Sequence, residues 1–145
     1  PVYYNKRAPK PHNYVEMAAA PLYPFGYGLS YTRFAYSNLS ITPQGSDYLV
    51  SFDVQNVGDR DGEEVAQLYL HDQVASVSQP MLQLRHFARV AIKKGATRRV
   101  SFTVTPEDLS IVNRDMQTVV EPGDFDVMVG GSSDNLPLRG VITVR

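Results

Sequence analysis

Hydrophobic and polar residues alternate along most of the chain after Phe34, in short runs separated by turn residues. The clearest run holds Val50, Phe52 and Val54, which alternate with polar neighbours. A period of two predicts a strand with one buried face. The runs together predict about seven strands, joined by turns rich in Gly, Pro, Asn and Asp. The pattern therefore predicts an all-β fold, an immunoglobulin-like antiparallel sandwich.

The central part of the predicted sandwich is a hairpin over residues 48–71. Gly58 and Gly62 lie in its turn, where glycine can adopt positive φ. The return strand, residues 65–70, is apolar on both faces, with Val65 and Tyr69 on the side that a sandwich strand usually exposes. This side is therefore predicted to be covered, either by the N-terminal part of the chain or by another domain.

Residues 1–33 differ from the rest, since they contain five of the ten prolines and six of the nine tyrosines. Proline removes backbone donors and interrupts regular ladders, so these residues are predicted to form an extended, irregular arm. One helical turn is predicted within it, at residues 15–20. The aromatic content is not that of a disordered linker. We therefore predict an arm at residues 1–33, which packs on a surface, and a sandwich at residues 34–145.

Two further local features follow from the pattern. The alternation in residues 83–92 is irregular around His86 and Phe87, which predicts a β-bulge. Residues 106–109 predict a short helical turn, because Pro106 suits a first helical position.

Composition excludes several classes of function. The chain has 14 basic and 15 acidic residues and a net charge of -1, which does not favour a nucleic-acid partner. Its apolar runs are too short to span a bilayer, and no segment has the layout of a signal peptide. Cysteine is absent, so disulfides and thiolate metal sites are excluded. The chain begins at Pro1 without Met, which is expected of a piece of a longer protein.

Four carboxylates and three histidines are the obvious candidates for chemistry. Paired carboxylates can perform acid–base chemistry or bind calcium, but the spacing here lacks the third ligand and the final Glu of a calcium loop. A solvated hairpin tip is the prediction for this group, which comprises Asp59, Asp61, Glu63 and Glu64. No two histidines stand at metal-ligand spacing, so no metal or cofactor is predicted. His71 and Asp72 are predicted to form a surface pair, and the other histidines are His12 and His86.

Three shorter signals have structural and functional interpretations. Residues 26–30, GYGLS, fit neither a phosphate loop nor a nucleophile elbow, and structural glycines are predicted there. Asn38 begins a glycosylation sequon, which matters only in a eukaryotic secretory pathway. The tyrosines of the arm could stack on sugar rings or fill a seam between domains. The seam is favoured, because the neighbouring prolines and glycines fix a path for the chain and do not present a platform.

Several stretches closely resemble one known domain. Residues 21–32, PLYPFGYGLSYT, are similar to the segment that leads into the C-terminal fibronectin type III-like domain of glycoside hydrolase family 3, which includes β-glucosidases and β-xylosidases. Three later stretches resemble the same domain in the same order. They are residues 56–70 (NVG through GEEVAQLYL), residues 105–110 (TPEDLS) and residues 120–133 (VEPGDFDVMVGGSS). The chain departs from the family pattern at residues 84–87, LRHF, and at residues 111–112, IV.

The resemblance implies a retaining glycosidase as the parent protein, with its Asp nucleophile and Glu acid/base on domains that precede this chain. It implies that this chain alone is not an enzyme and holds no catalytic residue, and it leads us to expect export to the periplasm or secretion. The expected role is structural, and the expected partners are the catalytic domains of the same protein. An ancillary carbohydrate-binding or protein-interaction module is the alternative, and the isolated chain is expected to self-associate through its arm. The residues expected at the inter-domain contact are Tyr23, Phe25, Tyr27, Leu29, Tyr31, Val65 and Tyr69.

Overall fold

The computed structural model describes residues 21–145. The predicted helical turn at residues 15–20, and most of the predicted arm, lie outside these residues. In the described part, two antiparallel sheets form a sandwich, and no helix has the length and apolar character needed to cross a bilayer. The strands are β1 (Phe34–Gln44), β2 (Asp47–Asn56), β3 (Gly62–Asp72), β4 (Gln83–Ile92), β5 (Thr97–Val104), β6 (Ile111–Val112), β7 (Thr118–Val119), β8 (Gly123–Gly130) and β9 (Leu138–Val144).

One sheet has three strands in the order β1–β2–β5, and the other has four in the order β4–β3–β8–β9. The remaining pair, β6 and β7, forms a separate two-stranded ribbon. Seven strands in the two principal sheets agree with the predicted sandwich. The predicted helical turn is also present, as α1 (Pro106–Leu109), and the side chain of Asp108 accepts a hydrogen bond from the backbone of Thr105 at its start.

The core lies between the two sheets and is built from the alternating positions. Val50, Phe52 and Val54 of β2 are completely buried, as are Ala66 and Leu68 of β3. At the edge strand β1, Leu39 and Ile41 pack against this core, as their inward positions predict. β1 continues through Pro43, which an edge strand tolerates because one side of it makes no ladder bonds.

The predicted central hairpin is wrong. β2 pairs with β1 and β5, whereas β3 pairs with β4 and β8, so the two strands lie in different sheets and face each other across the core. Alternation identifies the buried face of each strand, but it does not identify the strand to which that strand is hydrogen-bonded. Residues 57–61 therefore carry the chain from one sheet to the other.

Asn56 holds this crossing in place. Its side chain is fully buried, and its Nδ2 donates to the carbonyl oxygens of Arg60 (2.7 Å) and Ile92 (3.0 Å). Its Oδ1 accepts hydrogen bonds from the Gly58 amide (3.1 Å) and the Thr32 hydroxyl (2.6 Å). One amide side chain thus joins the crossing loop, the end of β4 and the residues that precede β1.

The predicted bulge near His86 is confirmed, while the predicted surface pair at the end of β3 is not. Leu68 is opposite His86 and Tyr69 is opposite Leu84, so Arg85 is the extra residue in β4. Asp72 is only 8% exposed, because β3 continues to this residue in register with β8. Its Oδ1 accepts a hydrogen bond from the Val74 amide (3.0 Å), and no ion pair joins it to His71 among the described residues.

Candidate docking surface

Residues 21–33 of the arm run across the sandwich without forming a helix or strand. Their path starts with a tight turn, in which the Tyr27 amide donates to the Pro24 carbonyl (3.0 Å). Gly26 lies within the turn at φ 78°, a left-handed conformation that favours glycine. The proline and glycine of this stretch therefore fix a defined route for the backbone, as the sequence predicts.

The turn is anchored to the sandwich at two points. The Ser133 amide donates to the Phe25 carbonyl (2.9 Å), and Nε2 of the buried Gln67 donates to the Gly26 carbonyl (3.1 Å). A Cβ on Gly26 would overlap the Gln67 side chain, so glycine is also required for this close approach. These contacts support the structural interpretation for Gly26, whereas a Cβ on Gly28 would meet nothing within 4 Å.

A second anchor lies at the end of the arm. The Thr32 side chain is only 9% exposed and donates to the buried Asn56. The next residue, Arg33, accepts a hydrogen bond at its carbonyl from the Val57 amide (2.8 Å). Residues 25–33 are thus tied to the crossing loop at one end and to the loop after β8 at the other.

The side chains of the same segment point away from the sandwich. The exposed fraction is 91% for Tyr31, 89% for Leu29, 86% for Leu22 and 69% for Tyr23. Phe25 and Tyr27 are also exposed, and the rings of Tyr23 and Tyr27 lie 5.6 Å apart. Apolar side chains of this size are normally buried, and a fixed backbone that presents several of them together is typical of an interaction surface.

The two predicted contact residues on β3 have different environments. Val65 is 39% exposed and lines the same groove as Tyr27 and Leu29 of the arm. Tyr69 is completely buried within the chain, and its hydroxyl donates to Oε1 of Gln67 (2.6 Å). Tyr69 therefore has no surface left for another domain in this structure, whereas the five arm residues and Val65 have.

A groove of about 630 Å³ lies between the arm, the start of β3 and the loop after β8. We call it the Glu64 groove, since this carboxylate is its main buried charge. Its walls include Tyr27 and Leu29 of the arm, and Glu64 lies within it beside Tyr36 of β1. The Tyr36 hydroxyl donates to Glu64 Oε1 (2.7 Å). A Cβ on Gly131 would overlap this carboxylate, so glycine leaves the space that it occupies.

Burial raises the pKa of Glu64, and the hydrogen bond from Tyr36 offsets part of this effect. Burial also raises the pKa of the Tyr36 hydroxyl far above its usual range, so it stays a donor at neutral pH. Because the folded pKa of Glu64 exceeds the unfolded one, the folded chain keeps this proton to higher pH. Its contribution to stability is therefore complete below the unfolded pKa, and it is lost as the pH rises through the folded pKa.

The predicted solvent exposure of the four carboxylates is correct for three of them and wrong for Glu64, and the loop that holds Asp59 and Asp61 crosses between the sheets and is not a hairpin tip. Asp59, Asp61 and Glu63 are exposed, and Glu63 pairs with Arg89. Glu64 has the same strand parity as Ala66, Leu68 and Leu70, so it points between the sheets. This parity was the signal in the sequence that could have identified it.

The other candidate residues form no catalytic or metal-binding constellation within the described part of the chain. Nε2 of His86 lies 2.9 Å from Oδ2 of Asp108, and the imidazole ring stacks on Phe102. These contacts indicate a structural role for His86. Ser30 Oγ accepts a hydrogen bond from the Thr32 amide (3.3 Å). No group of three or more His, Cys, Asp or Glu side chains could hold a metal ion in residues 21–145. The third histidine, His12, lies outside the described residues.

Comparison with known proteins matches residues 64–133 to the family model of the fibronectin type III-like domain. Among curated proteins, a β-xylosidase of Formosa agariphila is 44% identical over 131 residues, which cover 86% of this chain and 18% of the relative. A periplasmic β-glucosidase of Salmonella typhimurium is 39% identical over 136 residues, which cover 90% of this chain and 18% of the relative. The chain thus spans about a fifth of the length of the curated relatives that it matches.

Solved structures of β-glucosidases also match most of this chain over about a fifth of their own length. A β-glucosidase from Listeria innocua, in complex with glucose, has a TM-score of 0.88 and 34% identity, and the match covers 99% of this chain and 22% of that one. β-Glucosidase 3B from Thermotoga neapolitana has a TM-score of 0.81 and 36% identity, with 86% of this chain and 18% of that one covered.

Proposed function

This chain carries a fibronectin type III-like domain of the kind found in glycoside hydrolase family 3, and we propose that it is a non-catalytic module of a β-glucosidase-like enzyme. In this proposal the domain packs on the catalytic domains of the same protein and stabilises them. The relatives are several times longer than the matched region, which is consistent with a domain that works beside others in one chain.

The observation that carries the proposal is the contrast within residues 21–33. The backbone is fixed to the sandwich by hydrogen bonds, while Tyr23, Leu29 and Tyr31 extend into solvent. An ordered apolar surface of this kind costs free energy when it faces water, and burial against a neighbour recovers about 1.5–3 kcal/mol for each large side chain. We therefore propose that the contact with the catalytic domains is formed by Tyr23, Phe25, Tyr27, Leu29, Tyr31 and Val65.

The parent enzyme would be a retaining glycosidase whose two catalytic carboxylates lie on its other domains. We therefore assign no hydrolytic step to this domain, in which Glu63 pairs with Arg89 and Glu64 accepts a hydrogen bond from Tyr36 at one oxygen. A relative named as periplasmic supports export of the parent protein as part of the same proposal.

A carbohydrate-binding module is the alternative function. The rings of Tyr23 and Tyr27 are tilted by 36° to each other, so this pair does not form one flat platform for successive sugar rings. This geometry favours the structural role. Without its neighbour, the same surface leads us to expect association of the isolated chain with a second copy through the arm.

The isolated 145-residue chain is expected to be inactive and not to bind sugars. Incubation with aryl β-glucoside and β-xyloside should give no product above buffer, because no catalytic carboxylate pair is assigned to it. Titration with cello- and xylo-oligosaccharides should leave the tyrosine fluorescence unchanged. Turnover would overturn the non-catalytic assignment, and saturable binding would favour the alternative function.

A further inference from the structure

The Glu64 groove has an excess of negative charge. Its charged lining residues are three carboxylates and one guanidinium, namely Glu63, Glu64, Asp134 and Arg33. Glu63 is already paired with Arg89, and Asp134 accepts a hydrogen bond from the Ser132 hydroxyl (2.6 Å). Glu64 forms no ion pair within the part of the chain that the structure describes.

Only one of the two oxygens of Glu64 has a described hydrogen bond. Oε1 accepts from Tyr36, while no hydrogen bond to Oε2 is described within residues 21–145, and Glu64 lines the groove. The carboxylate is thus held in position from the core side and is open toward the groove, where a group from outside the domain can reach it.

The groove adjoins the proposed contact surface, because Tyr27 and Leu29 form part of both. A neighbour that covers these side chains would also remove water from Glu64. A desolvated carboxylate without a counter-charge is strongly unfavourable, whereas a carboxylate that meets a cation in the same place is compensated. A positive group opposite Glu64 would compensate this cost in the docked state and keep the carboxylate ionised.

From these contacts we propose that the Glu64 groove receives a basic side chain of the adjoining catalytic part of the protein, whose cation pairs with the Glu64 carboxylate. This inference rests on the proposed function and specifies the chemistry of its partner. Arginine suits the position well, because its planar guanidinium can bind the free oxygen while its stem packs on the tyrosine and leucine of the arm.

The test substitutes Glu64→Gln in the isolated chain and in the full-length protein that contains it. Glutamine keeps the shape of the side chain and an oxygen acceptor for Tyr36, and it removes the charge. In the isolated chain at pH 7 the melting temperature should stay the same or rise, because a desolvated charge is lost. In the full-length protein it should fall by roughly 2–4 °C, because the paired cation loses its partner.

Titration gives a second signature that a packing role would not produce. The effect of Glu64→Gln in the full-length protein should shrink as the pH falls and disappear once Glu64 is protonated in the folded protein, because the proposed cation holds the pKa of the docked carboxylate below its unfolded value. Other ionisable residues also face the groove, namely Tyr36, Glu63, Arg33 and Asp134. Comparison of the unsubstituted protein with the Glu64→Gln variant at each pH cancels their contribution. Glu107→Gln, an exposed carboxylate on α1, is the matched control and should have no effect in either protein.

Equal shifts in the two proteins, or no shift in the full-length protein, would overturn the inference. A crystal structure of the full-length protein provides an independent reading, in which a Lys or Arg nitrogen should lie within about 4 Å of the Glu64 carboxylate. A neutral group in that place would also overturn it. The proposed function fails by different results, namely a full-length protein without glycosidase activity or without contacts at Leu29 and Tyr31.

Discussion

Replacement of Asn56 by alanine is expected to lower the free energy of unfolding of the chain by about 3–5 kcal/mol. The side chain is fully buried and makes four hydrogen bonds, to Arg60, Ile92, Gly58 and Thr32. Alanine leaves two carbonyl acceptors and two donors without this partner, and the hydrogen bonds to Ile92 and Thr32 are the buried ones. Each unsatisfied buried group costs about 1–3 kcal/mol, and partial access of water to the crossing loop reduces the sum.

Urea unfolding followed by circular dichroism measures this loss. Gln55→Ala is the matched control, because it removes an exposed amide side chain from the preceding residue of β2. The control should change the free energy of unfolding by less than about 0.5 kcal/mol. A loss for Asn56→Ala no larger than that of the control would show that the amide does not hold the crossing between the sheets.

The second large effect concerns the arm. The double substitution Leu29→Ser and Tyr31→Ser should cost the full-length protein about 3–6 kcal/mol of contact energy between this domain and its neighbour. The same change should have almost no effect on the isolated chain, because these side chains are 89% and 91% exposed there. Hydrogen exchange can monitor the urea unfolding of this domain in both proteins. The difference between the two urea midpoints measures the contact energy.

Val74→Ser with Met116→Ser is the control pair for this experiment. These apolar side chains are similarly exposed, at 82% and 84%, but they lie outside the arm and the Glu64 groove. They should shift neither protein. If the arm pair and the control pair had the same effect in the full-length protein, exposure alone would not identify the contact surface.

The sandwich was predictable because one face of each strand is buried. In β5 the buried residues alternate strictly with exposed ones, and in β2 the buried apolar residues alternate with polar ones, of which Ser51 is also buried. The pairing was not predictable from the same pattern, since β2 and β3 are close in sequence but lie in opposite sheets. The crossing between the sheets depends on Asn56, whose hydrogen-bond partners lie up to 36 residues from it in the sequence.

The candidate site also has one part that the sequence predicts and one part that it does not. The arm was recognisable from its composition, because tyrosines beside prolines and glycines indicate an ordered apolar surface. The Glu64 groove was not predicted, since its partner Tyr36 is 28 residues away and only the strand parity of Glu64 indicated an inward position. Gln67 was also missed, although this buried amide joins Gly26 and Gly131 to β3.

We propose that another domain of the same protein covers the surface formed by residues 21–33. Hydroxyl-radical footprinting of Leu29 and Tyr31, in the full-length protein and in the isolated chain, tests this proposal. We expect rapid labelling of both side chains in the isolated chain and strong protection in the full-length protein, with Val74 labelled equally in the two. Equal labelling of Leu29 and Tyr31 in both proteins would contradict it.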